Sequence, residues 1–264
     1  MLMAVKNQIR VNLLSIKYSL MREMLNKTTF LMNIIFMIFN NASFIIQWII
    51  LFSLKDNIGG YHLEQVLLLW AFASSTYGFS HLLFRSAYKL SDTINTGKLD
   101  AFLVQPKSVL LGVITADVSS SAIGDILYGY TMFFISGFTV EKFLLFTWFS
   151  FTGCLIITSV AIILGSLGFW FNNSELVAST GNNLMIQFST YPDGIFKGIV
   201  KVLLYTIVPV GLSIYIPVSV MESFNIYLFL LVTLVTGIFI GGAFFIFNKG
   251  LKRYSSSNLM VARI

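Results

Sequence analysis

Few residues in this chain have the types and spacing that catalysis or metal binding requires. Gly97–Lys98 is the nearest approach to a phosphate-binding loop, but Leu99 stands where that loop needs Ser or Thr, and the upstream glycine is missing. The two histidines lie near opposite ends of one hydrophobic segment, and neither an HExxH nor a CxxC motif occurs. We therefore predict that the chain is not an enzyme and holds no metal or cofactor of its own.

Polar side chains inside hydrophobic segments are the better functional candidates. Asn33, Asn40 and Gln47 recur every seven residues in the first such segment and therefore share one helix face. Amides in hydrocarbon are costly unless they are paired, so this face, the amide stripe, either lines a substrate path or bonds to another helix. The sequence leaves both alternatives open, and we take the stripe as a candidate substrate path.

Asp125 is the deeper of two acidic residues in the hydrophobic segment 109–137, and acids at membrane depth mark substrate or proton pathways by default. As one helix this segment would be about 43 Å long, which exceeds the hydrocarbon thickness and places Asp117 near the cytoplasmic mouth. No Lys or Arg at membrane depth offers Asp125 a partner. We add Asp125 to the candidate path, with proton coupling as the alternative role.

The overall composition predicts an integral membrane protein. Hydrophobic residues make up 56% of the 264 residues and charged residues only 11%, whereas a soluble domain has about 25% charged residues. The chain has no room for a sizeable soluble domain as well. Its net charge of +6 does not indicate a nucleic-acid partner, because the basic residues concentrate beside the hydrophobic segments.

The hydrophobic segments predict an all-α polytopic membrane protein with six transmembrane helices. A span needs about 20 apolar residues, and such segments occur near 29–52, 63–84, 109–137, 143–170, 175–191 and 226–248. The remaining apolar stretch, 198–221, is broken by Pro209 and Pro217. Two layouts fit this region. Either 175–191 crosses and 195–221 dips in and returns on the outer side, or 175–197 lies on the cytoplasmic surface and 202–221 crosses.

The distribution of Lys and Arg orients these helices. Residues 1–27, the loop 85–107 and the tail 249–264 hold 13 of the 17 basic residues but only 3 of the 11 acids. The positive-inside rule places these three segments in the cytoplasm, and an even number of spans then places both termini there. The short loops 53–62 and 138–142 fall outside.

Residues 1–28 predict an amphipathic helix in the membrane interface, ahead of a transmembrane domain at 29–248. Apolar residues recur along one helix face at spacings of three or four. They are Val5, Ile9, Leu13, Ile16, Leu20 and Met24. Lys and Arg fill the other sides, so we expect the helix to lie flat on anionic lipid, with packing on a partner protein as the alternative.

The loop 85–107 combines charge with apolar side chains. Burying its six charged residues in the bilayer would cost on the order of 15–20 kcal/mol, so the loop stays in water. It nevertheless keeps the apolar residues Ile94, Leu99, Phe102 and Leu103. A polar loop with apolar anchors between two spans predicts a docking element for a soluble partner.

Four stretches resemble the membrane subunits of type-2 ATP-binding-cassette (ABC) exporters. The loop stretch TGKLDAFLVQP, at 96–106, is similar to the pattern sGeLDryLlrP of one branch of that family. The others are TYPDGIF at 190–196, IVP with YIP at 207–209 and 215–217, and GLKRYSS at 250–256. Two positions depart from the branch, since Lys98 stands where an acid is usual and Gln105 where a basic residue is common.

This resemblance implies a permease subunit of an ATP-driven exporter in the plasma membrane of a bacterium. Such permeases pair as homodimers or heterodimers, form the translocation path together and bind a separate ATPase subunit, which holds the ATP and magnesium. Their coupling helix lies between spans two and three, and a re-entrant outer hairpin, here 192–221, precedes the last span. The coupling residues so assigned are Ile94, Gly97, Lys98, Leu99, Asp100, Phe102, Leu103, Gln105 and Pro106. The alternative is an ATP-independent proton-coupled carrier or a small channel that relies on Asp125.

Overall fold

The computed structural model describes residues 2–255 of the chain. Within this range the fold is all-helical, and pairing between extended residues is limited to one bridge between Ile58 and Tyr61. The helices are α1 (Leu2–Glu23), α2 (Lys27–Leu54), α3 (Leu63–Phe84), α4 (Leu90–Asn95), α5 (Asp100–Leu103), α6 (Val109–Ile114), α7 (Ser121–Ile135), α8 (Val140–Ser166), α9 (Ser174–Ser189), α10 (Ile199–Thr206), α11 (Ile216–Glu222) and α12 (Ile226–Leu251). The all-α class is thereby confirmed.

Among the described residues, four helices are long and apolar enough to cross a membrane. They are α2, α3 with its continuation to Asn95, α8 with its continuation to Phe169, and α12. The pair α10 and α11 bends by 72° and makes a fifth candidate if it is counted as one span. α3 and α8 are largely buried inside the bundle, whereas α2 and α12 lie at its periphery.

The expectation of one long helix at 109–137 is wrong. The segment divides into α6 and α7 around residues 115–120, next to consecutive serines that bond locally, such as Ser119 to Ser121 at 2.8 Å. The Ser119 N–H also donates to the His81 carbonyl of α3 at 3.2 Å. α7 therefore has only 15 residues, about 23 Å at the standard rise, which is less than the hydrocarbon thickness.

The predicted fifth span, 175–191, corresponds to α9, which is also short at 16 residues. Its two ends nevertheless lie at opposite ends of the bundle. At its start Ser174 shares a 2.7 Å hydrogen bond with Ser91, beside α4. Just past its end the Tyr191 ring packs on Trp48, near the end of α2, with centroids 5.9 Å apart. Within residues 2–255, length and composition thus identify four or five spans rather than the predicted six.

Residues 193–222 cover nearly all of the predicted re-entrant region 192–221 and are called the outer hairpin after that prediction. They begin and end beside the connection between α2 and α3. At the start the Gly194 backbone contacts Gly59 so closely that a side chain on Gly194 would collide with the Gly59 carbonyl. At the end Glu222 accepts a hydrogen bond from the Gln65 amide in the first turn of α3. These contacts favour the layout in which this region dips in and returns on one side.

The interior of the outer hairpin is held by one acid. Asp193 accepts a hydrogen bond from the Tyr205 hydroxyl and pairs with Lys201, both at 2.9 Å. Its tip is a π turn at Gly211–Tyr215, which is buried against α3 and α8. The hairpin is therefore packed into the bundle.

α1 contacts the rest of the chain through polar side chains. The Ser15 hydroxyl donates to the Thr115 carbonyl at 2.9 Å, and Arg22 pairs with Asp117 at 2.9 Å. Most of the predicted apolar face is exposed instead, at Val5, Ile9, Leu13 and Met24. The apolar face is thus free to meet lipid, and the polar contact with the protein is a feature that the sequence did not indicate.

The predicted basic tail, 249–264, is described only to residue 255. α12 runs three residues beyond the predicted end of the last span at 248, to Leu251. Residues 256–264 lie outside the described part of the chain.

Candidate functional site

Residues 90–106, the inner loop, fold into two short helices joined by a glycine turn. Gly97, between α4 and α5, has a φ of 74°, a left-handed conformation that favours glycine. The Leu99 N–H then donates to the Thr93 carbonyl at 3.2 Å and closes the turn. The structure therefore brings the predicted coupling residues together on one compact element.

Two apolar residues anchor the inner loop. Ile94 and Leu99 are 5% and 0% exposed, and both belong to a core cluster that includes Ala161 of α8 and Phe247 of α12. Burying a leucine side chain stabilises a fold by roughly 1.5–3 kcal/mol. These two side chains face the bundle, so they hold the loop in place and do not form its outer surface.

The end of α5 exposes apolar surface. Leu103 and Val104 are 41% and 84% exposed, and Gln105 and Pro106 are exposed beside them. Val104 was not among the predicted coupling residues. The available signal was the run from Phe102 to Val104, because three consecutive apolar residues in a helix cannot all face the same side.

The polar residues of the inner loop bond within the chain. The Lys98 ammonium lies 3.0 Å from the Asp92 carboxylate, and the Gln105 amide donates to a backbone carbonyl of α5. The Tyr254 hydroxyl donates to Asp100 at 2.8 Å and ties the loop to the segment that follows α12. Burial, and then the hydrogen bond and charge of Asp100, raise the pKa of Tyr254 above its usual value.

Asp117 connects α1 to the segment between α3 and the inner loop. Its carboxylate lies 2.9 Å from Arg22, 3.6 Å from Lys89 and 3.8 Å from Arg85. Arg85 also donates to the Val118 carbonyl at 2.9 Å. Three cations around one carboxylate leave a local surplus of positive charge, which suits the cytoplasmic side of a membrane.

A polar cleft of about 380 Å³ opens between α2, α3, α7 and α9. Amide, carboxylate, guanidinium and aromatic groups meet in its wall, including Asn40, Asn41, Trp70, Tyr77, Arg85 and Asp125. A cavity of this size suits a small organic ligand better than a bare ion.

The cleft brings together only part of the predicted substrate path. Asp125 and Asn40 line it. Asn33 instead donates to the Ser120 hydroxyl at 3.0 Å, and Gln47 is exposed on α2 outside the cleft. The residues of the amide stripe therefore have different environments. Asn33 bonds to another helix segment, as in the second alternative, and Asn40 lies where a substrate path is possible.

Asn41 is a cleft residue that the seven-residue spacing missed. It is buried, and its amide donates to the Asp125 carboxylate at 2.7 Å. The available signal was helical spacing, since Asn41, Ile45 and Trp48 form the buried face of α2. Asp125 thus has an amide partner in place of the basic partner that the sequence lacked.

Long apolar helices around an internal polar cleft define a multi-pass membrane transport protein. The family model described as ABC-2 family transporter protein matches residues 37–258, which is most of the chain. The chain therefore belongs to this family and is a permease-type component of ABC transporters, as the four resembling stretches indicated. No curated protein matches the chain.

Proposed function

We propose that the chain is the membrane-spanning permease subunit of an ATP-driven ABC exporter, coupled to a separate ATPase subunit that binds the ATP and magnesium. The contrast between Leu99, which is fully buried, and Val104, which is 84% exposed, is the observation that carries the proposal. An exposed apolar end on a firmly anchored polar loop suits docking onto a soluble protein.

The anchors explain how such a loop would transmit force. Leu90, at the start of the inner loop, packs on Gly165 of α8, and Leu99 lies in the cluster that α8 and α12 share. Close-packed interiors transmit strain rather than absorb it. A push at Val104 would therefore move α8 and α12 together.

We further propose six spans, with both termini in the cytoplasm of a bacterial cell. The short helices α7 and α9 would cross with the help of their flanking residues and local thinning of the bilayer. The outer hairpin would be re-entrant from the outside. The basic residues around Asp117 and in the loop 85–107 support this orientation.

A second permease, identical or paralogous, would cover the face formed by α2 and α9. Gln47 on α2 and Asn183 and Gln187 on α9 are exposed amides at membrane depth. Just past the end of α9, Tyr191 packs on Trp48 of α2. Exposed amides are costly in hydrocarbon, so we assign this face to the dimer interface and the translocation path.

Co-purification of the complex from the native host tests the docking role. An ATPase subunit should co-purify with the wild-type permease and be identified by its mass and by ATP hydrolysis. Val104→Asp should reduce that yield about tenfold, because a charge enters the docking surface. Val140→Asp is the matched control, because Val140 is also an exposed valine but lies at the opposite end of the bundle.

Equal yields from the two variants would exclude docking at Val104. Transport by a wild-type protein that retains no ATPase would favour the proton-coupled carrier or channel instead.

The side of the membrane is tested by labelling Lys98→Cys in a Cys154→Ser background. Cys154 is the one cysteine of the chain, so its replacement leaves the introduced thiol as the single site for the reagent. A membrane-impermeant maleimide should react only after the cells are opened. Reaction in intact cells would contradict a cytoplasmic inner loop.

A further inference from the structure

We propose that the polar cleft binds an amphiphilic organic cation, and that this is the chemical class of the cargo. The inference rests on the proposed permease function, because it names what that permease would carry. It is argued from the charge, walls and opening of the cleft.

The carboxylate of the cleft lies deep in the bundle. Its partner Asn41 is near the midpoint of α2, a 28-residue helix. Asp125 is itself only 9% exposed, and a single neutral amide at 2.7 Å does not balance its charge. A carboxylate at this depth is stabilised by a cation that enters beside it.

The basic side chains that line the cleft contact other residues at its inner end. Arg85 donates to the Val118 carbonyl and lies 3.8 Å from Asp117. The His81 ring packs against Tyr88, with centroids 4.5 Å apart. Among the described residues that line the cleft, Asp125 is the one acid. The deep part of the cleft therefore favours positive charge in a ligand.

The walls suit an apolar body around that charge. Trp70 and Tyr77 present aromatic surface to the cleft, and ring faces attract organic cations. Met37 and Ile186 add apolar contacts on opposite helices. Asn40 is both a lining residue and exposed, so a ligand can reach the cleft from the surface of α2.

Binding to the permease alone, in nanodiscs and without any ATPase, tests the inference. Tetraphenylphosphonium and tetraphenylborate have the same shape and opposite charge. Equilibrium dialysis should detect binding of the phosphonium to wild type above empty nanodiscs, and no such excess for the borate. Asp125→Asn should weaken phosphonium binding about tenfold, whereas Asp125→Glu should largely retain it.

The matched control is Glu175→Gln, which removes an exposed carboxylate from the first turn of α9 and should leave binding unchanged. Equal phosphonium binding by wild type and Asp125→Asn would overturn the inference. So would an absence of binding, or equal binding of the borate, by wild type, and these two outcomes need no variant to fold. Because the assay contains no ATPase, its failure would leave the permease function standing, while loss of ATPase co-purification would refute that function alone.

Discussion

The inner loop and the outer hairpin both interrupt the long helices, but the inner loop leaves its end exposed, whereas the outer hairpin buries its tip. The inner loop is fixed by apolar Leu99, which is buried, and leaves Val104 exposed. The outer hairpin is tied internally by polar groups, with Asp193 bonded to Lys201 and Tyr205, and its tip is buried in the apolar core of the bundle. The first element is therefore suited to present a surface, and the second to fill the bundle.

The largest expected effect is on the free energy of unfolding, and it distinguishes the buried Leu99 from the exposed Val104 of the inner loop. Leu99→Ala should lower the free energy of unfolding by about 2–5 kcal/mol, since it leaves a cavity in a packed cluster. Val104→Ala should change it by less than about 0.5 kcal/mol. Thermal or denaturant unfolding of the purified permease measures both. Similar losses for the two variants would remove the distinction.

The next effect concerns the backbone contact of the outer hairpin. Gly194→Ala places a methyl group on the Gly59 carbonyl, so the hairpin must shift, at a cost of about 1–3 kcal/mol. Gly237→Ala in α12 is the control, because open space surrounds that position. An unchanged unfolding midpoint for Gly194→Ala would mean that the hairpin is not held by this contact.

A smaller effect is expected from the acid of the outer hairpin. Asp193→Asn removes the ion pair with Lys201 but keeps an acceptor for Tyr205. Lys201 is half exposed, so the loss should be about 1 kcal/mol and should shrink in high salt. Unfolding measured at low and high ionic strength checks both points. A loss of stability that does not depend on salt would argue against stabilisation of the hairpin by this ion pair.

The smallest effect is expected at the ion pair of the inner loop. Lys98 and Asp92 are both substantially exposed, so Lys98→Met should change stability by less than about 0.5 kcal/mol. The same unfolding assay applies, with Lys107→Met as the comparison. A loss above 1 kcal/mol at Lys98 would show that charge, as well as Leu99, fixes the inner loop.

The sequence predicted the elements that depend on local pattern. The apolar spacing from Val5 to Met24 anticipated α1, and the mixture of charge and apolar residues anticipated a folded inner loop. Both properties can be read from neighbouring residues alone, because helix periodicity and charge are local.

The features that the sequence missed depend on tertiary contacts. α2 is apolar around most of its circumference, so hydropathy does not reveal that Asn41 faces Asp125. Likewise Leu99 and Val104 look alike in sequence, and only the packing of α8 and α12 separates them. The serines at residues 119–121 were a local sign of the break between α6 and α7. The hydrogen bond from Ser119 to His81 that accompanies the break is long-range, so the sequence did not reveal it.

The contacts of α1 also bear on how the protein responds to the surrounding lipid. Arg22, near its end, shares Asp117 with Lys89, which directly precedes the inner loop. A helix whose apolar side meets lipid is pushed when acyl chains crowd or the leaflet curves. We expect that lateral pressure in the bilayer would reach Asp117 through α1, so that the surrounding lipid would adjust how readily the permease responds to the proposed ATPase partner.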